Sequence, residues 1–111
     1  MSDAIFTKIQ AQIDANPVML FMKGDRMFPQ CGFSQRVVQI LDHLHVPYQT
    51  ANVLESAELR QGIKDFSQWP TVPQLYVKGE FIGGCDIVTA MFQSGELEAL
   101  FSEKGIAATA A

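Results

Sequence analysis

Basic residues are scarce in this sequence: eight Lys and Arg stand against twelve Asp and Glu in 111 residues, a formal net charge of −4. The eight are scattered along the chain. That excludes a phosphate-backbone binder, whose affinity needs a gathered excess of cations. Long apolar runs are missing as well. The longest, Val18 to Met22, falls far short of the roughly 20 residues that span a bilayer. Met1 to Asp14 carries Asp3 and Asp14 and lacks a basic start followed by an apolar stretch, so it does not read as a secretory signal. Cysteine is limited to Cys31 and Cys85, too few for a disulfide-stapled secreted scaffold. These absences predict a soluble protein of a reducing compartment, either the cytoplasm or an organelle stroma or matrix.

What is present suits one domain. A composition of 48% hydrophobic and 18% charged residues supports a single core at this length. Ile5, Phe6, Ile9 and Ile13 recur at helical spacing after Ser2, a plausible N-cap, and predict a first helix over about Asp3 to Ala15, ended by Asn16-Pro17. Val18 to Met22 is the pattern of a strand buried on both faces. Lys23-Gly24 closes it and opens a loop containing Pro29. Phe33, Val37, Leu41 and Leu44 predict a second helix from Gly32 to about His45, before Pro47. Tyr48 to Val53 reads as a second strand, parallel to the first through a right-handed crossover. Leu59, Ile63 and Phe66 mark a third helix. Val72 to Val77 and Glu80 to Ile82 flank the turn Lys78-Gly79 as a hairpin. Ile87, Val88, Met91 and Phe92, then Leu97, Leu100 and Phe101, give two more helices. The order predicts an α/β fold of thioredoxin-like type, a four-stranded mixed sheet with helices on both faces. The domain is drawn over residues 1–104, with 105–111 as a flexible tail.

Cys31-Gly32-Phe33-Ser34 falls at a strand-loop-helix junction. A cysteine there meets the positive end of a helix dipole and unpaired N–H groups, which favour the thiolate, the form that attacks disulfides and binds metals. Lys23, at the end of the preceding strand, adds a positive charge. Ser34 stands where a resolving cysteine would complete C-x-x-C, so a dithiol mechanism is removed. Pro73, at a strand start, is a candidate cis-proline that would present Val72 backbone groups to an extended peptide beside Cys31. Gly83-Gly84-Cys85-Asp86 precedes a helix: its N–H groups suit a carboxylate, and Asp86 suits an amine or serves simply as an N-cap. Trp69 reads as a packing residue. His43 and His45, despite their spacing, read as a solvated helix end.

Taken together and in this order, Lys23-Gly24, Pro29, Cys31-Gly-Phe-Ser34, Trp69-Pro-Thr-Val-Pro73 and Gly83-Gly-Cys-Asp86 resemble the pattern of the monothiol glutaredoxins of the CGFS type. The likeness runs from about Ile5 to Lys104, without departure at the expected functional positions. It implies a glutathione site in which Lys23 and Arg60 take the glycine carboxylate. Val72 backbone groups would pair with the cysteinyl part, and Cys85 and Asp86 would hold the γ-glutamyl end. Taken alone, Arg60 reads as a solvated charge on the third helix.

The resemblance further implies a 2Fe-2S cluster held between two subunits by two Cys31 thiolates and two glutathione thiols, four ligands in all. Such a homodimer would deliver clusters to apo iron-sulfur proteins and pair with a BolA-like protein. Two alternatives share the site. One is a glutathione-dependent thiol-disulfide oxidoreductase with Cys31 as nucleophile, for which the resemblance suggests weak activity. The other is a sensor in which Cys31 and Cys85 form a disulfide.

Overall fold

Val18–Met22 is apolar at every position and forms β1, buried along its whole length. Its alternation decides the two cores, because successive side chains of a strand point to opposite faces. Val18, Leu20 and Met22 join one cluster and Met19 and Phe21 the other. The computed structural model describes residues 3–108, and the expected N-cap Ser2 lies outside them.

The elements run α1 (Asp3–Ala15), β1, α2 (Gly32–Leu44), β2 (Gln49–Asn52), a short 3-10 turn (Val53–Glu55), α3 (Ala57–Ser67), β3 (Gln74–Val77), β4 (Glu80–Gly83), α4 (Cys85–Ser94) and α5 (Glu96–Glu103). The sheet order is β2-β1-β3-β4. As the crossover requires, β2 pairs parallel with β1, Leu20 opposite Thr50. β3 runs antiparallel to β1, Leu20 opposite Leu75, and β4 antiparallel to β3.

One face of the sheet is covered by α1 and α3, whose Ile5, Ile9, Ile13 and Ile63 pack on Met19, Phe21 and Tyr76. α2, α4 and α5 cover the other: Val37, Leu41, Val88, Leu97 and Phe101 pack on Val18, Leu20, Leu75 and Val77. Each such side chain, fully buried, contributes roughly 1.5–3 kcal/mol by removal from water. The mixed four-stranded sheet between two helical layers is the expected fold.

Boundaries depart from the sequence reading in three places. β2 is shorter than Tyr48 to Val53, because Asn52 accepts the Leu54 N–H at 2.9 Å and turns Val53 into the 3-10 segment. β3 begins at Gln74 rather than Val72, since Pro73 has no N–H to give to the ladder, whereas α2 ends as expected at a left-handed His45 (φ 57°). Packing also continues past Lys104: Ile106 is buried in the α2-side core, and its N–H donates to the Phe101 carbonyl at 2.8 Å. The small residues around Ile106 hid this apolar anchor.

Candidate functional site

Everything that positions Cys31 begins at the carboxyl end of β1. The chain leaves through Lys23 and returns at Gln30, whose N–H donates to the Lys23 carbonyl at 2.9 Å. Within this loop the Asp25 carboxylate accepts the Phe28 N–H at 2.8 Å. The Gly24 N–H donates to the Asn52 side chain at 2.9 Å, which ties the loop to the end of β2. Gly24 has φ +88°, and a Cβ there would stand 2.5 Å from the Phe28 carbonyl oxygen and 2.6 Å from the Gln30 nitrogen. Only glycine fits both the dihedral and the space.

The closed loop delivers Cys31 as the N-cap of α2, with extended backbone (φ −155°, ψ 137°). Its thiol lies below the ordinary value of 9.0. Partial burial, the largest single influence, works against ionisation. The Ser34 and Phe33 N–H groups, the Lys23 charge and the Ser34 hydroxyl together outweigh it. The expected thiolate-favouring helix start is therefore present. Ser34 is fully buried, and its hydroxyl accepts the Lys23 N–H at 3.1 Å.

The opposite wall comes from two further turns. The Val72-Pro73 bond is cis, as the strand-start proline predicted, and Gln74 opens β3 directly after it. Gly84, not Asp86, is the N-cap of α4, so Asp86 lies exposed in the first helical turn where its charge suits the dipole. A Cβ on Gly84 would come within 3.2 Å of the Pro73 carbonyl and 3.3 Å of Trp69 Nε1, so these turns pack backbone to side chain. The Cys85 sulfur lies 3.9 Å from Thr89 Oγ1.

Two hollows meet here. The narrower, about 170 Å³, is lined by Trp69, Thr71, Val72, Pro73 and Gly84. The wider, about 550 Å³, lies between α2 and α4 and contains Cys31 and Arg36. Phe33, Cys85 and Asp86 border both. Cys31, Cys85 and Asp86 thus line one hollow and Val72, Cys85 and Asp86 the other, with Lys23 close enough to act on Cys31 electrostatically. The fold does not bring Arg60 to either hollow: that residue is exposed on α3.

Sequence reasoning passed over Phe33, 63% exposed at the junction of the hollows, and Arg36. No local pattern marked Arg36, whose place in the wider hollow depends on α4 becoming the neighbour of α2. Trp69 does pack on Phe81 (ring centroids 5.6 Å apart), yet it also lines the narrow hollow, and its Nε1–H is buried without a hydrogen-bond partner. His43 stacks edge-on against Phe92 and His45 is the left-handed cap of α2. Among the described residues, no group of three or more His, Cys, Asp or Glu side chains is placed to hold a metal ion. No helix among them is long and apolar enough to cross a membrane.

Comparison with known proteins agrees with this geometry. The glutaredoxin family model matches residues 18–82. A ycf64-like monothiol glutaredoxin of Synechocystis is 56% identical over 82% of this chain and 85% of its own. Mitochondrial monothiol glutaredoxin-5 of Saccharomyces cerevisiae is 51% identical over 93% of this chain and 71% of its own. The chain spans about half (52%) of the chloroplastic monothiol glutaredoxin-S14 of Arabidopsis thaliana, with 54% identity. Among solved structures, reduced apo GrxS14 of poplar superposes with a TM-score of 0.78 at 51% identity, over 88% of this chain and 90% of that one. A buckwheat glutaredoxin–glutathione complex superposes with a TM-score of 0.82 at 28% identity, over 95% and 94%. With one cysteine in the Cys31-to-Ser34 motif, a cis-proline in the hollow that Phe33 of that motif borders, and this set of relatives, the chain belongs to the glutaredoxin family, in its monothiol branch.

Proposed function

We propose that this protein binds a 2Fe-2S cluster between two copies of the chain, with glutathione completing the ligand set, and passes the cluster to acceptor apo-proteins. One observation carries the reading: a thiolate-favouring Cys31 opens onto a groove shared with Cys85 and Asp86 and continuous with Val72, while Ser34 offers no second thiol. A cluster of this type takes four thiolate ligands. Cys31 is one, and a second copy with two glutathione thiols makes four.

In this proposal the extended Val72 backbone pairs with the cysteinyl part of glutathione. The first turn of α4 at Cys85 and Asp86 receives the γ-glutamyl zwitterion, since a helix start favours a carboxylate and Asp86 an ammonium. Lys23 takes the glycine carboxylate as a point charge; Arg60, which lies at neither hollow, is not assigned to it. A cluster held half by exchangeable small molecules leaves easily, which suits delivery. The acceptors are apo iron-sulfur proteins, with a BolA-like protein as a further partner, in a reducing compartment such as the cytoplasm.

The test is anaerobic reconstitution with iron, sulfide and glutathione, read by visible absorption and by mass. Wild type should gain a coloured dimer that needs glutathione and gives its cluster to an apo-ferredoxin. Equal colour from Cys31→Ser, or full colour without glutathione, overturns the proposal. The same lowered thiol also favours a second reading, a glutathione-dependent oxidoreductase that removes glutathione from mixed disulfides. Robust turnover of a small disulfide with glutathione and glutathione reductase would favour that reading.

A further inference from the structure

The two hollows are chemically unlike. The narrow one holds the Val72 edge and, Asp86 apart, is lined by neutral groups. The wide trough between α2 and α4 holds Cys31 itself, with Arg36 on the α2 wall and Thr89, Ala90 and Gln93 on the α4 wall; Asp86, the carboxylate it shares with the narrow hollow, stands at the Cys85 end, where the reading above gives it to the glutathione ammonium. Glutathione on the Val72 edge, as proposed above, leaves most of that trough open, so a second reactant reaches Cys31 along it.

Arg36 is the basic group of this trough. It is exposed and, among the described residues, has no carboxylate partner, whereas Arg26 is paired with Asp42 at 2.8 Å and Lys104 lies 3.7 Å from Glu80. A guanidinium with a free fork matches a carboxylate in two-point geometry. The length of the trough is also informative. From Cys85 to Gln93 the α4 wall rises about 12 Å at 1.5 Å per residue. That equals roughly three to four residues of extended chain. Exposed Phe33 adds an apolar shoulder where the trough meets Cys31.

We propose that the α2–α4 trough seats an acidic peptide segment of the acceptor protein, its cysteine at Cys31 and a carboxylate about three residues away on Arg36, which makes Arg36 the residue that sets acceptor preference. The inference rests on the carrier reading for its biological partner. The contact itself is testable without iron or glutathione, so the two can fail separately.

The probe is a set of tetrapeptides with an N-terminal cysteine activated as its 2-thiopyridyl disulfide, carrying Glu, Gln or Lys at the fourth position. The Cys31 thiolate attacks the peptide sulfur. A Cys31–peptide disulfide forms, the old S–S bond breaks, and pyridine-2-thione leaves and is read by its absorption. Wild type should react with the Glu peptide about five- to tenfold faster than with the Gln peptide at low salt, and the preference should shrink as salt screens it. In Arg36→Gln the preference should vanish while the Gln-peptide rate stays at the wild-type level. In Arg36→Glu it should invert towards the Lys peptide. Equal rates for Glu and Gln peptides with wild type, an undiminished preference in Arg36→Gln, or an equal slowing of all peptides would overturn the proposal.

Discussion

The Lys23 amide donates to the buried Ser34 hydroxyl across 3.1 Å, joining the end of β1 to the first turn of α2 on either side of Cys31. Ser34 is therefore more than the absence of a second thiol. Its backbone N–H and its hydroxyl both favour the Cys31 thiolate. Ser34→Ala removes the hydroxyl and leaves a half-buried amide unpaired, at a cost of about 1–2 kcal/mol. It should also move the alkylation of Cys31 to higher pH. Thermal melting and iodoacetamide rates, with the modified cysteine identified by peptide mass, measure the two effects independently. Ser34→Thr, which keeps the hydroxyl, should restore the pH profile.

Ionisation of Cys31 sets a second expectation, with its sign fixed by the lowered thiol. Alkylation needs the thiolate, so the folded protein should react at a pH below the 9.0 typical of a free thiol and lose reactivity as pH falls through its folded value. Between the folded and unfolded values the unfolded chain binds more protons, so stability rises with pH in that window and is lost below it. Cys31→Ser should flatten the rise. Denaturant titrations of both proteins from pH 6 to 9 give the comparison, and parallel curves would contradict it.

Gly24 makes the loop testable apart from the thiol. With φ +88° and backbone atoms 2.5 and 2.6 Å from where a Cβ would stand, Gly24→Ala has to break the Gly24–Asn52 bond or open the neck at Gln30. A loss of about 1–3 kcal/mol is expected from a strained backbone of this kind. Hydrogen exchange should report faster opening from Lys23 to Gln30, with the α1–α3 core unchanged.

Much of this architecture was legible from apolar spacing. β1 stood out because both its faces are buried, and α1 because Ile5, Ile9 and Ile13 share one face of a regular helix. Cys31 was legible because a lone cysteine at a strand-helix junction has few other uses, whereas Gly84-Cys85 on its own read as a turn before a helix and stood out only through the family resemblance. Long-range contacts were not legible. Asn52 holding Gly24, Arg26 reaching Asp42 across the loop, and Arg36 facing α4 depend on which elements become neighbours, and no local pattern records that. Ile106 was hidden for the same reason: one apolar residue among small ones has no periodicity.

Alkaline pH probes the tyrosines. Burial pushes Tyr76 up to about 12, and burial with the neighbouring Asp42 carboxylate pushes Tyr48 above its ordinary range. A group whose folded value is raised contributes stability that is intact below its unfolded value, near 10, and is lost as pH rises towards the folded one. Melting temperature should therefore fall steadily from about pH 10 to 12. Tyr48→Phe, which also removes the 2.9 Å bond to Asp42, should make that fall shallower while lowering stability at pH 7 by about 1 kcal/mol.

Trp69 supplies the last readout, because it is the one tryptophan in the chain and lines the narrow hollow beside Val72 and Gly84. A ligand on the Val72 edge changes the surroundings of its ring, so glutathione should alter its emission in a saturable way. Gly84→Ala places a methyl 3.3 Å from Trp69 Nε1 and 3.2 Å from the Pro73 carbonyl, neither of which is the loose end of a flexible side chain. The hollow must then widen or the α4 start must shift. The expected result is a glutathione affinity about tenfold weaker by Trp69 fluorescence, with little change in the alkylation of Cys31, whose own contacts lie on α2 and Lys23. An unchanged affinity would place glutathione away from Gly84 and remove the Val72 edge as its seat.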